Sequence, residues 1–288
     1  MKVLVTGGSG FLGRHLLPQA IERGHQVVAI ARSSRAARVV AELGATPIAG
    51  DLDDPAATDA AFTDAGADAL VNLASLGFGH APVIVSAAEE AGLKRAVFVS
   101  TTAVTTTIAA ASKRVRLEAE ETVRASALDW TIIRPTMIYG APGDRNIARL
   151  LSALRRTPIL PVPGGGNRLL QPVHVDDLAA AVLTAVESPA ASGRTYDVAG
   201  PEPMPLAELL AEAIRATGSR ARLVPVPLRP AIRMLSLYER LARRPKLKAE
   251  QLRRLAEDKA FSIEAAARDL GFCPRSFRTG VTEQANRR

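Results

Sequence analysis

The stretch that decides the fold is KVLVTGGSGFLGRHLL, residues 2–17. A short aliphatic run leads into glycines and then into a helical pattern, so strand, glycine turn and helix follow one another directly. Gly7 permits a tight turn, Gly10 lets the backbone approach a pyrophosphate, and Gly13 lets the helix pack close to the strand. The free N–H groups at the helix start favour phosphate oxygens. This order predicts a dinucleotide site at TGGSGFLG, with Phe11 and Leu12 inside it.

The same alternation continues through the first half of the chain. Apolar runs predict strands at 26–31, 68–74, 95–100 and 130–135, and helical patterns fall at 80–92 and 113–127. Near-continuous apolar strands that alternate with helices are typical of a parallel sheet covered on both faces. The predicted fold is therefore α/β, with a doubly wound parallel sheet of the Rossmann type.

The regular alternation of predicted strands and helices ends at about residue 140. Proline and glycine cluster in TPILPVPGGGNR, residues 157–168, and helices predicted at 174–187, 205–217 and 229–257 no longer alternate strictly with strands. We predict a dinucleotide-binding core over 1–155. Residues 156–288 are expected to form mainly a smaller α+β lobe on the substrate side, with some segments returning to the core sheet.

The end of the second strand indicates which dinucleotide binds. The chain there has Arg32, Ser33 and Arg35, where an NAD enzyme usually has an acidic residue for the ribose hydroxyls. A guanidinium pairs with a 2′-phosphate through charge-assisted hydrogen bonds, so NADP(H) is favoured over NAD(H). Arg32 stacking on adenine or facing solvent is the alternative. Asp51 and Leu52, after the third strand, are expected to border the adenine, unless Asp51 only caps the next helix.

Composition narrows the class of protein. The formal charge is +8, with much of the excess in residues 229–259, but aromatic residues make up only 4% of the chain, which argues against nucleic-acid binding. An apolar stripe in this basic segment would suit either an anionic membrane surface or packing and oligomer contacts, and we favour packing. Cys273 is the single cysteine, which suits a reducing cytoplasm and leaves no metal cluster in the sequence.

Further motifs resemble those of extended short-chain dehydrogenase/reductases of the NAD-dependent epimerase/dehydratase type. They are TGGSGFLG (6–13), GDLDD (50–54), LVNLAS (70–75), VFVSTT (97–102), RPTMIYG (134–140), HVDD (174–177) and YDVAGPEPMPLAEL (196–209). The middle of the chain is similar to the atypical branch, which includes NmrA-like and complex-I-subunit-like proteins. The resemblance implies that Leu73, Ala74 and Ser75 line the nicotinamide side of the cofactor. It also implies cofactor contacts from Ser100 and Pro135.

The resemblance also implies a Tyr-x-x-x-Lys pair on the helix after the fifth strand, with tyrosine as the proton donor. The segment TTTIAAASKRVRLEAEE, residues 105–121, contains no tyrosine. Lys113 as the motif lysine puts Ala109 at the tyrosine position, whereas the acidic run EAEE favours Ser112 and Arg116 instead. Either cation is a candidate to hold the nicotinamide ribose.

Two other side chains are candidates for the altered catalytic site. Thr102 falls where the family has its active-site serine or threonine, and Tyr139 is a candidate surrogate acid. The alternative for Tyr139 is a packing role.

Three functions follow from these observations. The first is an NADP(H)-dependent oxidoreductase that transfers hydride to a quinone or another apolar carbonyl compound. The second is a non-catalytic NADP(H) redox sensor or assembly factor. The third is a nucleotide-sugar epimerase or dehydratase, which the missing phenol disfavours because oxidation of an unactivated hydroxyl needs a base.

Overall fold

The computed structural model describes residues 1–107, 111–144, 146–241 and 257–286. The chain forms two compact units. The first comprises Met1–Thr136, Val175–Val198 and Ser262–Cys273, and the second comprises Met137–His174, Ala199–Phe261 and Pro274–Arg288. Assignment of the later part of the chain to the substrate side stays a prediction.

The first unit is built on a sheet of seven parallel strands. They are β1 (Lys2–Thr6), β2 (Gln26–Ala31), β3 (Thr46–Ala49), β4 (Ala69–Asn72), β5 (Arg95–Val99), β6 (Asp129–Pro135) and β11 (Arg194–Val198). Their order is β11-β6-β5-β4-β1-β2-β3, which confirms the doubly wound α/β fold. The order reverses between β1 and β4, and this reversal is where such sheets bind ligands outside the strand ends.

Helices cover both faces of this sheet. They are α1 (Gly13–Glu22), α2 (Ser34–Glu42), α3 (Pro55–Ala65), α4 (Ala81–Glu90), α5 (Ala111–Ala125), α7 (Val175–Glu187) and α10 (Glu264–Leu270). Helices α3, α4 and α5 contribute to one apolar core with the strands, while α1 packs on α7. Burial on both faces explains why the middle strands are continuously apolar rather than alternating.

The second unit has short strands and its own core. Its strands are β7 (Ile138–Tyr139), β8 (Ile159–Pro163), β9 (Leu169–Leu170), β10 (Val173–His174), β12 (Met204–Pro205) and β13 (Arg222–Val226). Its helices are α6 (Ile147–Leu154), α8 (Leu206–Thr217), α9 (Leu228–Leu241) and α11 (Phe277–Asn286). The core lies among α6, α8, α11 and the strands, with Leu154, Leu209 and Val281 almost fully buried.

The basic segment is described only in part. Helix α9 accounts for the start of the helix predicted over 229–257, and residues 242–256 lie outside the described residues. On α9, Met234 and Tyr238 are exposed. No helix within the described ranges has the length and apolar character needed to cross a bilayer.

A buried carboxylate organises the polar groups between α5 and the sheet. Glu120, on α5, is fully buried. Its carboxylate accepts hydrogen bonds from Ser100 Oγ at 2.6 Å, Arg134 Nε at 3.0 Å and Arg124 Nη2 at 2.8 Å. A buried charge is tolerated only where such partners compensate for its lost hydration. Helix α5 is therefore held in one rotational setting against β5 and β6.

The pKa values of two neighbouring carboxyl groups, Glu120 and Asp197, are shifted in opposite directions. Burial by itself would raise the pKa of Glu120, but hydrogen bonds from Arg134 and Ser100 outweigh it, and the pKa lies below its usual value. Asp197 lies beside Arg134 in the β11–β6 register. Burial raises the pKa of Asp197 despite the nearby guanidinium. Glu120 is therefore the ionised partner of Arg134.

We predict that Glu120→Gln lowers the free energy of unfolding by about 3 kcal/mol at pH 7, because the guanidinium of Arg134 loses its buried counter-charge. A depressed pKa gives stability that is present above the unfolded-state value and is lost as pH falls through the folded-state value. The difference in the free energy of unfolding between wild type and variant should therefore stay constant from pH 7 to about 5.5 and decrease below that pH. Urea unfolding followed by the fluorescence of Trp130, on β6, measures it.

Glu118→Gln is the matched control for this prediction. Glu118 lies on the same helix, and its ion pair with Arg114 is solvent-exposed. Exposed pairs contribute about 0–1 kcal/mol, so this variant should unfold almost like the wild type. Equal stability of the Glu118 and Glu120 variants at pH 7 would contradict the role given to Glu120.

Candidate functional site

The turn after β1 lies close to the backbone that follows β4. Gly7 has a φ of +71°, and Gly10 N donates a hydrogen bond to Gly7 O at 2.9 Å. A Cβ atom at Gly7 would lie 3.0 Å from both Ala74 N and Leu73 C. Real Cβ atoms almost never come closer than this, so glycine is the residue that allows the turn to lie against the end of β4.

The start of α1 has no side-chain cap, while Arg14 N and His15 N donate to the backbone oxygens of Gly10 and Leu12. Leu12 occupies the cap position without a side-chain hydrogen bond to the helix. A Cβ at Gly13 would lie only 2.2 Å from Gly8 O, so the helix can lie this close to the turn only with glycine at this position. The ring of Phe11 packs at a tilt against His15, with centroids 5.7 Å apart. An uncapped helix start beside a glycine turn suits an anionic ligand.

A buried polar pair joins the ends of β1 and β4. Thr6 Oγ1 donates to Asn72 Oδ1 at 2.5 Å, and Asn72 Nδ2 donates to Ala74 O at 3.1 Å. Leu73 N donates to Thr6 O at 3.1 Å, which continues the pairing of the two strands. These bonds fix the segment Leu73–Ser75 beside the glycine turn. Thr6 and Asn72 were not among the predicted site residues, although each is a polar residue that ends an apolar strand.

A cavity of about 480 Å³ opens beside these loops within the first unit. Eight of the predicted cofactor residues line it: Gly7, Arg32, Ser33, Arg35, Asp51, Leu52, Ala74 and Ser75. Ten other lining residues were not predicted as cofactor residues, among them Arg14, Asp53, Phe78 and His80. The other predicted cofactor residues lie outside its lining: Gly10, Phe11, Leu12, Gly13, Leu73, Ser100, Arg116 and Pro135.

The cavity carries cationic groups at the end of β2. The Arg32 side chain is 71% exposed, and its Nη1 lies 3.8 Å from Asp53 Oδ2. Exposure and distance make this a weak ion pair, so an incoming dianion can compete for Arg32. Ser33 Oγ accepts from Ala36 N at 3.2 Å and caps α2. Asp54, rather than Asp51, supplies the side-chain cap of α3.

Three predicted residues, Ser100, Thr102 and Pro135, lie together at the ends of β5 and β6. Thr102 is buried, and its hydroxyl donates to Pro135 O at 3.3 Å. Ser100 N donates to Ile133 O at 2.7 Å, while the Ser100 hydroxyl is turned toward Glu120. This geometry lets Ser100 tie the strand end to α5.

Helix α5 presents Ser112, Arg116 and Glu120 at intervals of four residues, which places them along one face. A Cβ at Gly77 would lie 3.0 Å from Arg116 Cζ, so the guanidinium packs against the segment that follows β4. Lys113 Nζ instead donates to Thr106 O. Ala109, the alternative tyrosine position, lies outside the described residues.

Tyr139 lies in the core of the second unit. Its ring is fully buried, with an edge-on contact to His174 at 5.3 Å between centroids and a tilted contact to Phe277 at 5.1 Å. A Cβ at Gly280 would lie 2.3 Å from the Tyr139 hydroxyl oxygen. These contacts describe tight packing, and the role of Tyr139 as a surrogate acid stays a prediction.

The residues of the first unit fit a dinucleotide on three observations. The glycine turn makes a cradle that Cβ atoms would fill, the start of α1 is uncapped, and cationic side chains line the adjoining cavity. Each of these features complements a phosphate-bearing ligand. Within the described part of the chain, no three His, Cys, Asp or Glu side chains form a metal-binding group.

We predict that Gly13→Ala destabilises the first unit by about 1–3 kcal/mol, because the added methyl overlaps Gly8 O and the turn must move. The same movement should abolish NADPH binding, measured by the fluorescence of the bound nucleotide. Gly92→Ala is the control: Gly92 has a φ of +73° but open space around its Cα. This control should lose about 1 kcal/mol from backbone strain alone and retain binding. Undiminished binding by Gly13→Ala would contradict the prediction.

Sequence similarity to known proteins supports binding of a nicotinamide dinucleotide. The model of an NAD(P)H-binding family matches residues 7–189, well over half of the chain. The chain is 31% identical to 2-alkyl-3-oxoalkanoate reductase of Stenotrophomonas maltophilia, over 96% of this chain and 95% of the relative. It is 29% identical to 4-hydroxy-2-methyl-3-oxo-4-farnesyl-3,4-dihydroquinoline-1-oxide ketoreductase of Stigmatella aurantiaca, over 96% and 92% of the two chains.

A solved structure shares the fold. UDP-glucose 4-epimerase of Thermotoga maritima superimposes with a TM-score of 0.76 at 18% identity, covering 99% of this chain and 97% of the epimerase. Identity at this level shows the fold alone. The family match, the identity to the Stenotrophomonas reductase and the glycine turn together establish that this chain is an NAD(P)H-binding member of the extended short-chain dehydrogenase/reductase superfamily.

Proposed function

We propose that this protein is an NADPH-dependent reductase that transfers hydride to a ketone on a lipophilic molecule. The observation that carries the proposal is the cavity beside the glycine turn, where Arg32, Ser33 and Arg35 replace the acidic residue of NAD-dependent enzymes. The two curated relatives support the substrate class, because both names describe reduction of a carbonyl group on a molecule with alkyl or farnesyl substituents.

The arginines account for the choice of NADPH. A 2′-phosphate carries close to two negative charges, and a guanidinium can bind it through two parallel hydrogen bonds. Arg35 lines the same cavity and adds a second positive charge. Asp53 opposes this preference, but its pairing with Arg32 at 3.8 Å is too weak and exposed to retain the guanidinium against a phosphate.

Arg116 is the cation that we assign to the nicotinamide ribose. It shares a face of α5 with buried Glu120, and its guanidinium packs on Gly77, three residues after Ala74. Lys113 lies off this face and donates to Thr106 O, whereas Arg116 Nη1 donates to Ser112 O within α5. A guanidinium supplies several donors in a planar array, which suits two neighbouring ribose hydroxyls.

Bound NADPH would supply the hydride, and the protein must provide orientation and a proton. Thr102, which follows β5, is the hydroxyl that we assign to orienting the substrate carbonyl, and to do so it must rotate its single hydrogen away from Pro135 O. The two candidate positions for the motif tyrosine hold Ala109 and Ser112, so we assign the proton to solvent water. General acid catalysis contributes about 10²–10⁴ in rate, so its loss slows reduction without forbidding it.

The direct test is NADPH oxidation at 340 nm with purified protein and a panel of 2-alkyl-3-oxo acids, apolar ketones and quinones. We expect protein-dependent decay with at least one ketone and identification of the alcohol product by mass spectrometry. Decay should be slower with NADH. If NADPH binds but no carbonyl compound is reduced, the reductase proposal fails.

That outcome would favour the second candidate, a non-catalytic NADP(H) sensor or assembly factor. The specific observation behind it is the absence of tyrosine between residues 105 and 121. A sensor requires different affinities for NADP⁺ and NADPH, since a ligand that binds two states equally shifts neither. Calorimetric titration with each form of the nucleotide measures this difference.

We predict that Arg32→Asp raises the KM for NADPH about 10- to 100-fold, the equivalent of losing charge-assisted hydrogen bonds and adding a like charge. The KM for NADH should change little, because NADH has no 2′-phosphate. Arg38→Asp is the matched control, since Arg38 lies exposed on the same helix as Arg35 but outside the cavity lining. An equal effect of the two substitutions would point to general electrostatics instead.

A further prediction separates the two candidate ribose cations. Arg116→Ala should weaken binding of both NADPH and NADH about 10-fold, because the ribose is common to both. Arg116→Lys should recover most of the loss, and Lys113→Ala should bind like the wild type. Calorimetric titration of the four proteins decides the matter: a loss confined to Lys113→Ala would reverse the assignment.

A further inference from the structure

The cavity in the first unit has an aromatic side chain that the proposed function does not use. Phe78 lines it, yet this side chain is 76% exposed. Isolated exposed apolar residues are common on protein surfaces. Phe78 differs because its ring lines a cavity that arginine and carboxylate side chains also line. A ligand bound in that cavity would contact the ring.

The backbone around Phe78 is built to present the ring. Phe78 ends a single 3₁₀ turn, Leu76–Phe78, which Ser75 caps by accepting from Gly77 N at 3.3 Å. Leu76 is buried beneath the turn and holds it on the core. Gly79 follows with a φ of +85°, which redirects the chain. The turn therefore has a fixed base, and Phe78 projects from it.

Contacts at both ends hold the segment in place. At one end, Arg116 packs against Gly77. At the other, His80 Nε2 and Asp53 Oδ1 lie 2.8 Å apart in a hydrogen bond. The rings of Phe78 and His80 are 6.2 Å apart at 51° between planes, so Phe78 lies close to the anchored histidine. A segment fixed at two points keeps its ring at the cavity without first having to be ordered by a ligand.

The anchor to Asp53 locates Phe78 along the cavity. Asp53 follows Asp51 and Leu52 after β3, and it also lies within 3.8 Å of Arg32. These residues border the part of the cavity that we assign to adenosine and its 2′-phosphate. Phe78 is therefore near the adenosine end rather than the pyrophosphate turn at Gly7 and Gly10.

We propose that Phe78 is a binding residue for the adenine of the dinucleotide, which it contacts through the face of its ring. The inference rests on the nucleotide-binding part of the proposed function and is independent of hydride transfer. A purine has an extended apolar π-face, and stacking on an aromatic side chain is worth about 1–3 kcal/mol per base. Phe78 thus adds affinity common to NADPH and NADH, while Arg32 discriminates between them.

The test is calorimetric titration of the full chain with three probes: NADPH, adenosine 2′,5′-bisphosphate and nicotinamide mononucleotide. Phe78→Ala should weaken binding of the first two about 10-fold. It should leave the third unchanged, because nicotinamide mononucleotide has no adenine. Phe78→Trp should bind both adenosine ligands at least as tightly as the wild type, since it enlarges the stacking surface.

Met234→Ala is the matched control, because Met234 is 72% exposed and lies in the second unit. It should bind all three probes like the wild type. Unchanged affinity of Phe78→Ala for adenosine 2′,5′-bisphosphate would overturn the inference, as would an equal loss with nicotinamide mononucleotide.

The titrations and the reductase assay together distinguish failure of this inference from failure of the proposed function. If the wild type binds neither NADPH nor adenosine 2′,5′-bisphosphate, both proposals fail. If binding follows the expected pattern but no ketone is reduced, the reductase proposal fails and the role of Phe78 stands.

Discussion

The close approach of Gly7 to the backbone of Leu73 and Ala74 is the constraint on which the cofactor region depends. With any side chain at this position, the turn after β1 would move away from the end of β4. The Thr6–Asn72 hydrogen bond then ties the two strand ends together in the buried layer below. The reversal of strand order leaves a crevice at this point. The backbone of Gly7 and that of Leu73 and Ala74 lie against each other there.

A second constraint acts on α5 through a charge. Glu120 has to be buried against Ser100 and Arg134, and this requirement sets the rotation of the helix. Residues one and two turns earlier, Arg116 and Ser112, then share the face that Glu120 defines. The missing phenol is thus a change at one position of an otherwise organised helix, which is why we propose a reductase with solvent as the proton source.

Much of the fold was predictable because its signals are local. Apolar runs place β1, β2, β4, β5 and β6 within two residues of the observed bounds, whereas β11 was not predicted individually. Burial on both faces explains the continuous hydrophobicity of the predicted strands. The glycine spacing likewise predicts a phosphate-binding turn without any long-range information. By contrast, the segment LGFGH at 76–80 has no periodic pattern, and its partner Asp53 lies 27 residues away, so its place at the cavity was not predictable.

The sequence by itself determined the doubly wound fold, the glycine turn and the arginines after β2, since each depends on residue types within a few positions of one another. It left open which cation on α5 accompanies the cofactor, because Lys113 and Arg116 fit the motif spacing equally well. Only the tertiary structure places the two side chains differently, through the burial of Glu120 and the packing of Arg116 on Gly77, and our proposal of Arg116 rests on that difference. The physical reason is that the face a helix turns toward a sheet depends on the side chains it must bury, and the partners of those side chains are distant in sequence.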